Sequence, residues 1–131
     1  MRATVATVDG VFVVDLEDEV VLVDDDAQLD PEPQPRVELP RVLGAAASGS
    51  TVVALLDLRP PLAISHDAGR TWREAGGGLP AGRAVAIDAD DPDRMLYAAR
   101  NRLYVSEDGG RFWRGLTPEL PEILAVGWNS T

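Results

Sequence analysis

Short apolar runs alternate with turn-forming residues along the whole chain. No window of about eleven residues holds an apolar stripe of helical period that is free of Pro and Gly, so the pattern predicts strands rather than helices. Asp9-Gly10 lies between two apolar runs, which is a strong hairpin signal. The chain is therefore predicted to be all-β. The predicted strands are Thr4–Val8, Val11–Asp15, Val20–Val23, Val42–Ala47, Thr51–Leu56, Leu62–Ile64, Arg70–Arg73, Arg83–Asp88, Met95–Ala99, Leu103–Val105, Arg111–Arg114 and Glu122–Trp128.

A sequence repeat divides the chain. Ser65–Arg73 reads SHDAGRTWR and Ser106–Arg114 reads SEDGGRFWR, a shift of 41 residues. A weaker copy begins at Val23-Asp24 and lacks the Gly and the Trp. Leu-Pro pairs recur at almost the same spacing and place the repeats at about 1–39, 40–80 and 81–121: Leu39-Pro40, Leu79-Pro80 and Leu120-Pro121. A period near 40 made of short strands is typical of one β-propeller blade.

The S-x-D-x-G-x-x-W pattern of both strong copies resembles the Asp-box, or bacterial neuraminidase repeat, of sialidases, sortilin-type receptor domains and photosystem-assembly propellers. In composition the chain resembles a small, stand-alone haloarchaeal member of this family. The resemblance implies propeller blades in which each box caps the hairpin between the third and fourth strands, at the periphery. The structural box residues would be Ser65, Asp67, Gly69, Trp72, Ser106, Asp108, Gly110 and Trp113.

The chemistry of these residues fits a structural role. A carboxylate at a hairpin tip accepts hydrogen bonds from the amides of its own turn, and Gly permits a positive φ there. We therefore expect Asp108→Ala to destabilise its repeat by roughly 1–3 kcal/mol. Trp72 and Trp113 are predicted to be buried between adjacent blades.

The length of the chain raises the question of closure. A propeller typically needs about four to eight blades, whereas 131 residues supply three repeats and a terminal strand, Glu122–Trp128. We expect a half-propeller that is closed by oligomerisation, most simply as a homodimer with a six-bladed ring. Arg36–Leu39 is the candidate fourth strand of the first repeat, which leaves the terminal strand surplus. That strand would complete the first blade of a partner chain or extend a sheet edge.

Charge and composition limit the expected partners and cellular location of the protein. The chain has 22 acidic residues and 12 basic residues, and its net charge is −10. Every one of the basic residues is Arg. Nucleic acid is therefore not an expected partner. Acidic enrichment without Lys resembles the composition of proteins from salt-loving archaea, although a GC-rich genome also favours Arg over Lys. The chain has no Cys, no signal-peptide pattern and no apolar run of membrane-spanning length. A cytoplasmic protein that contacts no membrane is predicted.

Candidate chemistry is sparse. Two Asp clusters suit a hard cation such as Ca²⁺, but the one that begins at Asp88 lies where the repeat requires a turn, and a solvated loop or a halophilic surface is the favoured interpretation. These clusters are Asp24-Asp25-Asp26 and Asp88, Asp90, Asp91 and Asp93. His66 lies at a variable box position, and Ser65, His66 and Asp67 are consecutive on one turn, which does not suit a catalytic relay. No catalytic, cofactor-binding or metal-binding residue is assigned.

The sialidase resemblance implies an arginine triad, a Tyr–Glu pair and an acidic proton donor. The two tyrosines, Tyr97 and Tyr104, lie within apolar strand runs, and the recurring arginines belong to the boxes. We therefore favour a non-enzymatic binding or assembly module whose ligand is a protein or a carbohydrate. The alternative is a glycoside hydrolase of the Asp-box superfamily or a degenerate remnant of one, and an assembly factor like the photosystem propellers is a third class.

Overall fold

The computed structural model describes residues 1–22, 24–30 and 32–129. Twelve strands and no helix lie within these ranges. The strands are β1 Arg2–Thr7, β2 Gly10–Asp15, β3 Val20–Leu22, β4 Val42–Ser48, β5 Thr51–Leu56, β6 Leu62–Ser65, β7 Arg73–Ala75, β8 Ala84–Ile87, β9 Met95–Ala98, β10 Leu103–Ser106, β11 Arg114–Gly115 and β12 Ile123–Asn129. Val23, the predicted end of β3 and the start of the weak first repeat, lies outside the described residues.

The strands form three four-stranded antiparallel sheets, so the predicted all-β fold with propeller blades is confirmed. The second blade is β4-β5-β6-β7 and the third is β8-β9-β10-β11, each consecutive in the chain. Turn signals account for this order, because Gly49 has a φ of 60° in the β4–β5 hairpin and short loops join antiparallel neighbours.

The first blade combines both ends of the chain. Its strand order is β12-β1-β2-β3, and β12 is paired with β1 from Arg2↔Asn129 to Thr7↔Ile123. The prediction that the terminal strand pairs with a second chain is therefore wrong, because β12 pairs with β1 of its own chain. Residues 36–39 form no strand, so β12 is the fourth strand of the first blade and is not surplus. Self-association of the folded chain stays a prediction.

The blades are arranged in the order second, third, first. The strand β8 of the third blade contacts both β4 and β12, whereas within the described ranges no strand of the first blade contacts one of the second. Two hydrophobic cores fill the two junctions. One joins the second and third blades around Leu55, Ile64 and Tyr97, and the other joins the third and first blades around Leu16 and Leu103. The fold is thus an open arc of three blades.

One long connection crosses the open side of the arc. It leaves β3, the outer strand of the first blade, and reaches β4, the inner strand of the second blade. We call residues 28–30 and 32–35 the strap. Among the residues that the structure describes, no helix has the length and apolarity needed to cross a membrane.

Candidate ligand-binding groove

The two repeated turns are built by local hydrogen bonds. In the second blade, the buried hydroxyl of Ser65 donates to Asp67 Oδ1 at 2.8 Å and accepts from the amide of Gly69 at 2.8 Å. Asp67 Oδ1 also accepts from the amides of Arg70 at 3.1 Å and Thr71 at 2.8 Å. The carboxylate therefore binds the turn's own backbone, as the sequence predicts.

The third blade repeats the arrangement. Ser106 Oγ donates to Asp108 Oδ1 at 2.8 Å and accepts from the amide of Gly110 at 2.9 Å. The amides of Arg111 and Phe112 donate to the same carboxylate oxygen at 3.2 and 3.0 Å. Because the bonds coincide atom for atom, the 41-residue repeat is a structural repeat of the turn as well as of the sequence.

The two carboxylates differ in one bond. Thr71 Oγ1 donates to Asp67 Oδ2 at 2.6 Å, whereas the matching residue of the third blade is Phe112, which has no hydroxyl. The Thr71 hydroxyl is the largest cause that holds the pKa of Asp67 well below its usual range, followed by the Thr71 amide and Ser65. The pKa of Asp108 is lowered chiefly by the amide of Phe112. The hydrogen bonds of each turn therefore favour the ionised form of its carboxylate.

The glycine and the tryptophan of each turn are joined. The indole N–H groups of Trp72 and Trp113 donate to the carbonyls of Gly69 and Gly110 at 3.1 and 3.0 Å. Gly110 has a φ of 85°, and a Cβ there would overlap the end of the Ile64 side chain from the second blade. The positive φ therefore favours glycine, and a side chain at this position would also displace the end of Ile64.

The fourth strands begin later than predicted. Arg70–Thr71 and Arg111–Phe112 belong to the turns because their amides bind the aspartates, so the strands start at Arg73 and Arg114. The predictions Arg70–Arg73 and Arg111–Arg114 are wrong for this reason.

The two tryptophans differ in their surroundings. Trp113 is half-buried, packs on the core between the second and third blades, and meets Tyr97 edge to face at 5.9 Å. Trp72 is also half-buried, and its ring lies against Gly69 of its own turn. It is not among the described residues that pack on either interblade core. The prediction of burial between blades therefore holds in part for Trp113 and is not supported for Trp72.

The arginine that follows each tryptophan links neighbouring blades. Arg73 Nη2 donates to the carbonyl of Gly109 in the third blade at 2.6 Å. Arg114 Nη2 donates to the carbonyl of Leu16 in the first blade at 3.0 Å, and its guanidinium pairs with Glu19 at 3.5 Å. Recurrence at 41 residues was the signal available in the sequence, but the acceptors are backbone carbonyls and have no sequence signature.

The remaining candidate residues do not form a catalytic set. His66 is exposed, and its Nδ1 lies 3.5 Å from Thr51 Oγ1, so it does not connect Ser65 with Asp67. Tyr97 is fully buried, donates to the Pro80 carbonyl at 2.5 Å, and has a pKa raised to about 12 by burial. The prediction that Tyr97 and Tyr104 lie within strands is confirmed, since they belong to β9 and β10. Their rings are 6.1 Å apart in a T-shaped contact.

The Asp clusters form turns. Asp88 Oδ1 accepts from the amide of Asp90 at 2.9 Å, and Asp91 Oδ1 accepts from the amide of Asp93 at 3.1 Å. Arg94 pairs with Asp88 and Asp91. In the described part of the chain, no group of three or more His, Cys, Asp or Glu side chains is placed to hold a metal ion.

A groove of about 830 Å³ lies among the three blades. Its walls are the innermost strands β4, β8 and β12 together with the strap. Half of the strand residues that line the groove are small, namely Gly44, Ala45, Ala46, Ala47, Ala84, Ala86, Ala125 and Gly127. Leu43 and Leu124 are 56% and 57% exposed in this groove, so it offers apolar surface to a ligand.

Charges in the groove are few. Of the described residues that line it, Asp30 and Glu32 are the acids and Arg83 is the cation. Trp128 lines one end, and its buried indole N–H has no acceptor within the described ranges. The sequence did not indicate this groove, because its lining residues come from both ends of the chain and carry no shared motif.

Comparison with known proteins supports the fold. The sequence matches no family model and no curated protein. A solved structure, that of a GH74 enzyme from Niastella koreensis, is similar with a TM-score of 0.53 and 24% sequence identity. The similarity covers 95% of this chain and 20% of that chain, so this chain spans about a fifth of its structural neighbour. At this identity the likeness concerns the fold alone.

Proposed function

We propose that this chain is a non-enzymatic β-propeller module that binds a polypeptide ligand in the groove between β4, β8 and β12. The observation that supports this proposal is the lining of the groove. Alanine and glycine leave room beside the strands, and the exposed side chains of Leu43 and Leu124 supply apolar contacts. Burial of such side chains is the main favourable contribution to polypeptide binding.

The edge of β4 adds a second element of recognition. The amide of Ala45 in β4 donates away from its own sheet, to Gln34 Oε1 at 3.3 Å. A strand edge that offers backbone donors suits an extended polypeptide, which carries one acceptor per residue. Nucleic acid fits the groove poorly, since Arg83 is the cation among its described lining residues.

The acids of the groove do not support the alternative of glycoside hydrolysis. That reaction usually requires two carboxyl groups on opposite sides of the scissile bond. Asp30 and Glu32 are exposed and lie two residues apart on the same segment. The likeness to a GH74 enzyme concerns the fold and does not extend this chemistry to the chain.

We also propose that the two S-x-D-x-G-x-x-W turns are Asp-boxes with a structural role. Their eight defining residues are engaged in turn, indole and core contacts, and none of them lines the groove. Ligand binding and box integrity should therefore be separable by substitution.

A matched pair of variants tests the proposed function. Ala47→Trp fills the groove at an exposed lining residue, and Ala81→Trp places the same side chain at an exposed residue outside it. Peptides selected from a displayed library on the parent chain should bind Ala81→Trp normally and lose at least tenfold in affinity for Ala47→Trp. Equal binding to both variants contradicts the groove as the site. The parent chain should not hydrolyse aryl glycosides or glucan oligosaccharides. Hydrolysis by the parent that is lost in Ala47→Trp contradicts the non-enzymatic function.

A further inference from the structure

The amino-acid sequence of the strap favours an extended backbone conformation. Residues 28–35 read QLDPEPQP, with proline at every second position from Pro31 onward. Proline fixes φ and lacks an amide donor, so such a segment favours the polyproline II conformation and forms no internal hydrogen bonds. It is thus preorganised to lie along a groove.

One end of the strap occupies a slot in the first blade. A Cβ built on Gly127 of β12 would lie 2.7 Å from Leu29 Cδ1, closer than non-bonded carbon atoms approach. Leu29 therefore lies directly against Gly127, and a side chain at position 127 would displace the end of the leucine. Leu29 is half-buried, whereas its neighbours Gln28 and Asp30 are exposed, so this contact is specific to the leucine.

The other end is held by the second blade. Gln34 Oε1 accepts from the amide of Ala45, which lies on the inner strand β4. The Gln34 side chain thereby satisfies a backbone donor at a sheet edge. Leu29 and Gln34 are attached to two different blades, and the exposed residues Glu32 and Pro33 lie between them.

These contacts define a recognition pattern. We propose that the ligand of the groove is an extended, proline-rich polypeptide segment, and that the strap is an internal copy of that ligand which an external segment displaces. This inference rests on the proposed function. The ligand would place an apolar side chain in the Gly127 slot and, five residues later, a side-chain acceptor at the amide of Ala45. The strap is exposed along most of its length, so few contacts would be lost on its displacement.

The experiment compares one labelled peptide, residues 27–36 with the sequence AQLDPEPQPR, on three folded proteins by fluorescence anisotropy. The proteins are the parent, the released variant Leu29→Ser/Gln34→Ala, and the released variant with Gly127→Val in addition. The released variant should bind the peptide at least tenfold more tightly than the parent, because its own strap no longer competes. Gly127→Val should remove that binding, because a side chain then fills the slot. A scrambled peptide of the same composition is the control.

The outcomes separate this inference from the proposed function. Equal affinity of parent and released variant contradicts displacement of the strap. If library peptides bind in a manner sensitive to Ala47→Trp but the strap peptide does not bind the released variant, the inference is wrong and the proposed function stands. If no peptide shows groove-dependent binding, the proposed function is wrong. If the double variant does not fold, the single variant Gln34→Ala, at an exposed residue, is tested instead. It should bind the peptide more tightly than the parent does, and equal affinity counts against displacement.

Discussion

Asp67 and Asp108 occupy the same position in two turns, yet they are bound differently. Both accept two backbone amides and a serine hydroxyl, but only Asp67 accepts a further hydroxyl, from Thr71. Phe112 replaces that threonine in the third blade and is 80% exposed. The chain therefore contains an internal comparison of one turn with and without this hydrogen bond.

Thr71→Val should raise the pKa of Asp67 and lower the stability of the folded chain at neutral pH. The folded pKa of Asp67 is depressed, so the stability it contributes is present above the unfolded pKa of about 3.9 and is lost as the pH falls toward the folded value. The stability difference between parent and variant should thus shrink between pH 5 and pH 2, as measured by urea unfolding and by NMR titration of the Asp67 carboxyl. Phe112→Thr in the third blade should act in the opposite direction. A difference that is constant with pH would show that the hydroxyl acts by packing.

Ser106→Ala should destabilise the chain by about 1–3 kcal/mol, because the amide of Gly110 would lose its acceptor in a buried turn. Ser106 is 1% exposed, and its hydroxyl is bound to both Gly110 and Asp108. The midpoint of urea unfolding measures the change. Ser50→Ala, at an exposed serine of the β4–β5 turn, serves as the control and should leave the midpoint nearly unchanged.

At the scale of the elements, the blades are joined by apolar cores and by one arginine per junction. Arg73 joins the second blade to the third, and Arg114 joins the third blade to the first. In both cases a side chain from the start of a fourth strand binds a backbone carbonyl of the next blade. The short fourth strands β7 and β11 thus hold neighbouring blades together as well as completing their own sheets.

Arg73→Met should weaken the junction of the second and third blades and cost about 1–2 kcal/mol, because the Gly109 carbonyl loses a charged donor while much of the apolar stem is retained. Arg70→Met, at an exposed arginine on the same turn, is the matched control and should be close to neutral. Equal unfolding midpoints of the two variants would show that the bond to Gly109 contributes no stability.

At the scale of the whole molecule, the first blade is assembled from the two ends of the sequence. Arg2 and Asn129 are directly opposite each other in the β1–β12 pair, so the terminal strand and the first three strands form one continuous sheet. Because the blade order is second, third, first, the chain resembles a permuted row of three blades. The strap bridges the gap that this order leaves.

A circular permutant should fold. Its design joins Asn129 to Arg2 through a short Asn-Gly hairpin and opens the chain after Glu38, an exposed residue outside any strand. Each sheet would then be consecutive in sequence, which lowers the loop-closure cost of the first blade. Circular dichroism and thermal melting should show the same fold with a melting temperature equal to or above that of the parent. A second permutant, opened between Val53 and Ala54 inside β5, should not fold, and equal behaviour of the two would contradict the sheet order.

Salt should raise the melting temperature. The net charge is −10, and the repulsion it causes is screened as the Debye length falls from about 10 Å at 0.1 M to about 3 Å at 1 M salt. Melting of the parent in 0.1 M and 2 M KCl measures the effect. A variant with Asp24, Asp25 and Asp26 changed to Asn removes three exposed charges and should show a smaller rise. A melting temperature that falls with salt contradicts this prediction.

The features that the sequence predicted are those fixed by near neighbours. The apolar runs predicted the strands. The repeated turn motif predicted the hydrogen bonds of Ser65 and Asp67, whose partners lie two to four residues away. Such bonds depend on residue type and spacing within one turn, so a motif can report them.

Only the tertiary structure decided which edge the terminal strand joins, where the interblade arginines point, and that a groove exists. Backbone hydrogen bonds are the same for every residue, so the sequence of β12 does not specify β1 as its neighbour. Arg114 binds the carbonyl of a residue 98 positions away, and Leu29 meets Gly127 from the opposite end of the chain. These contacts arise from how the blades pack around one another, which is a property of the whole assembly and not of any local pattern.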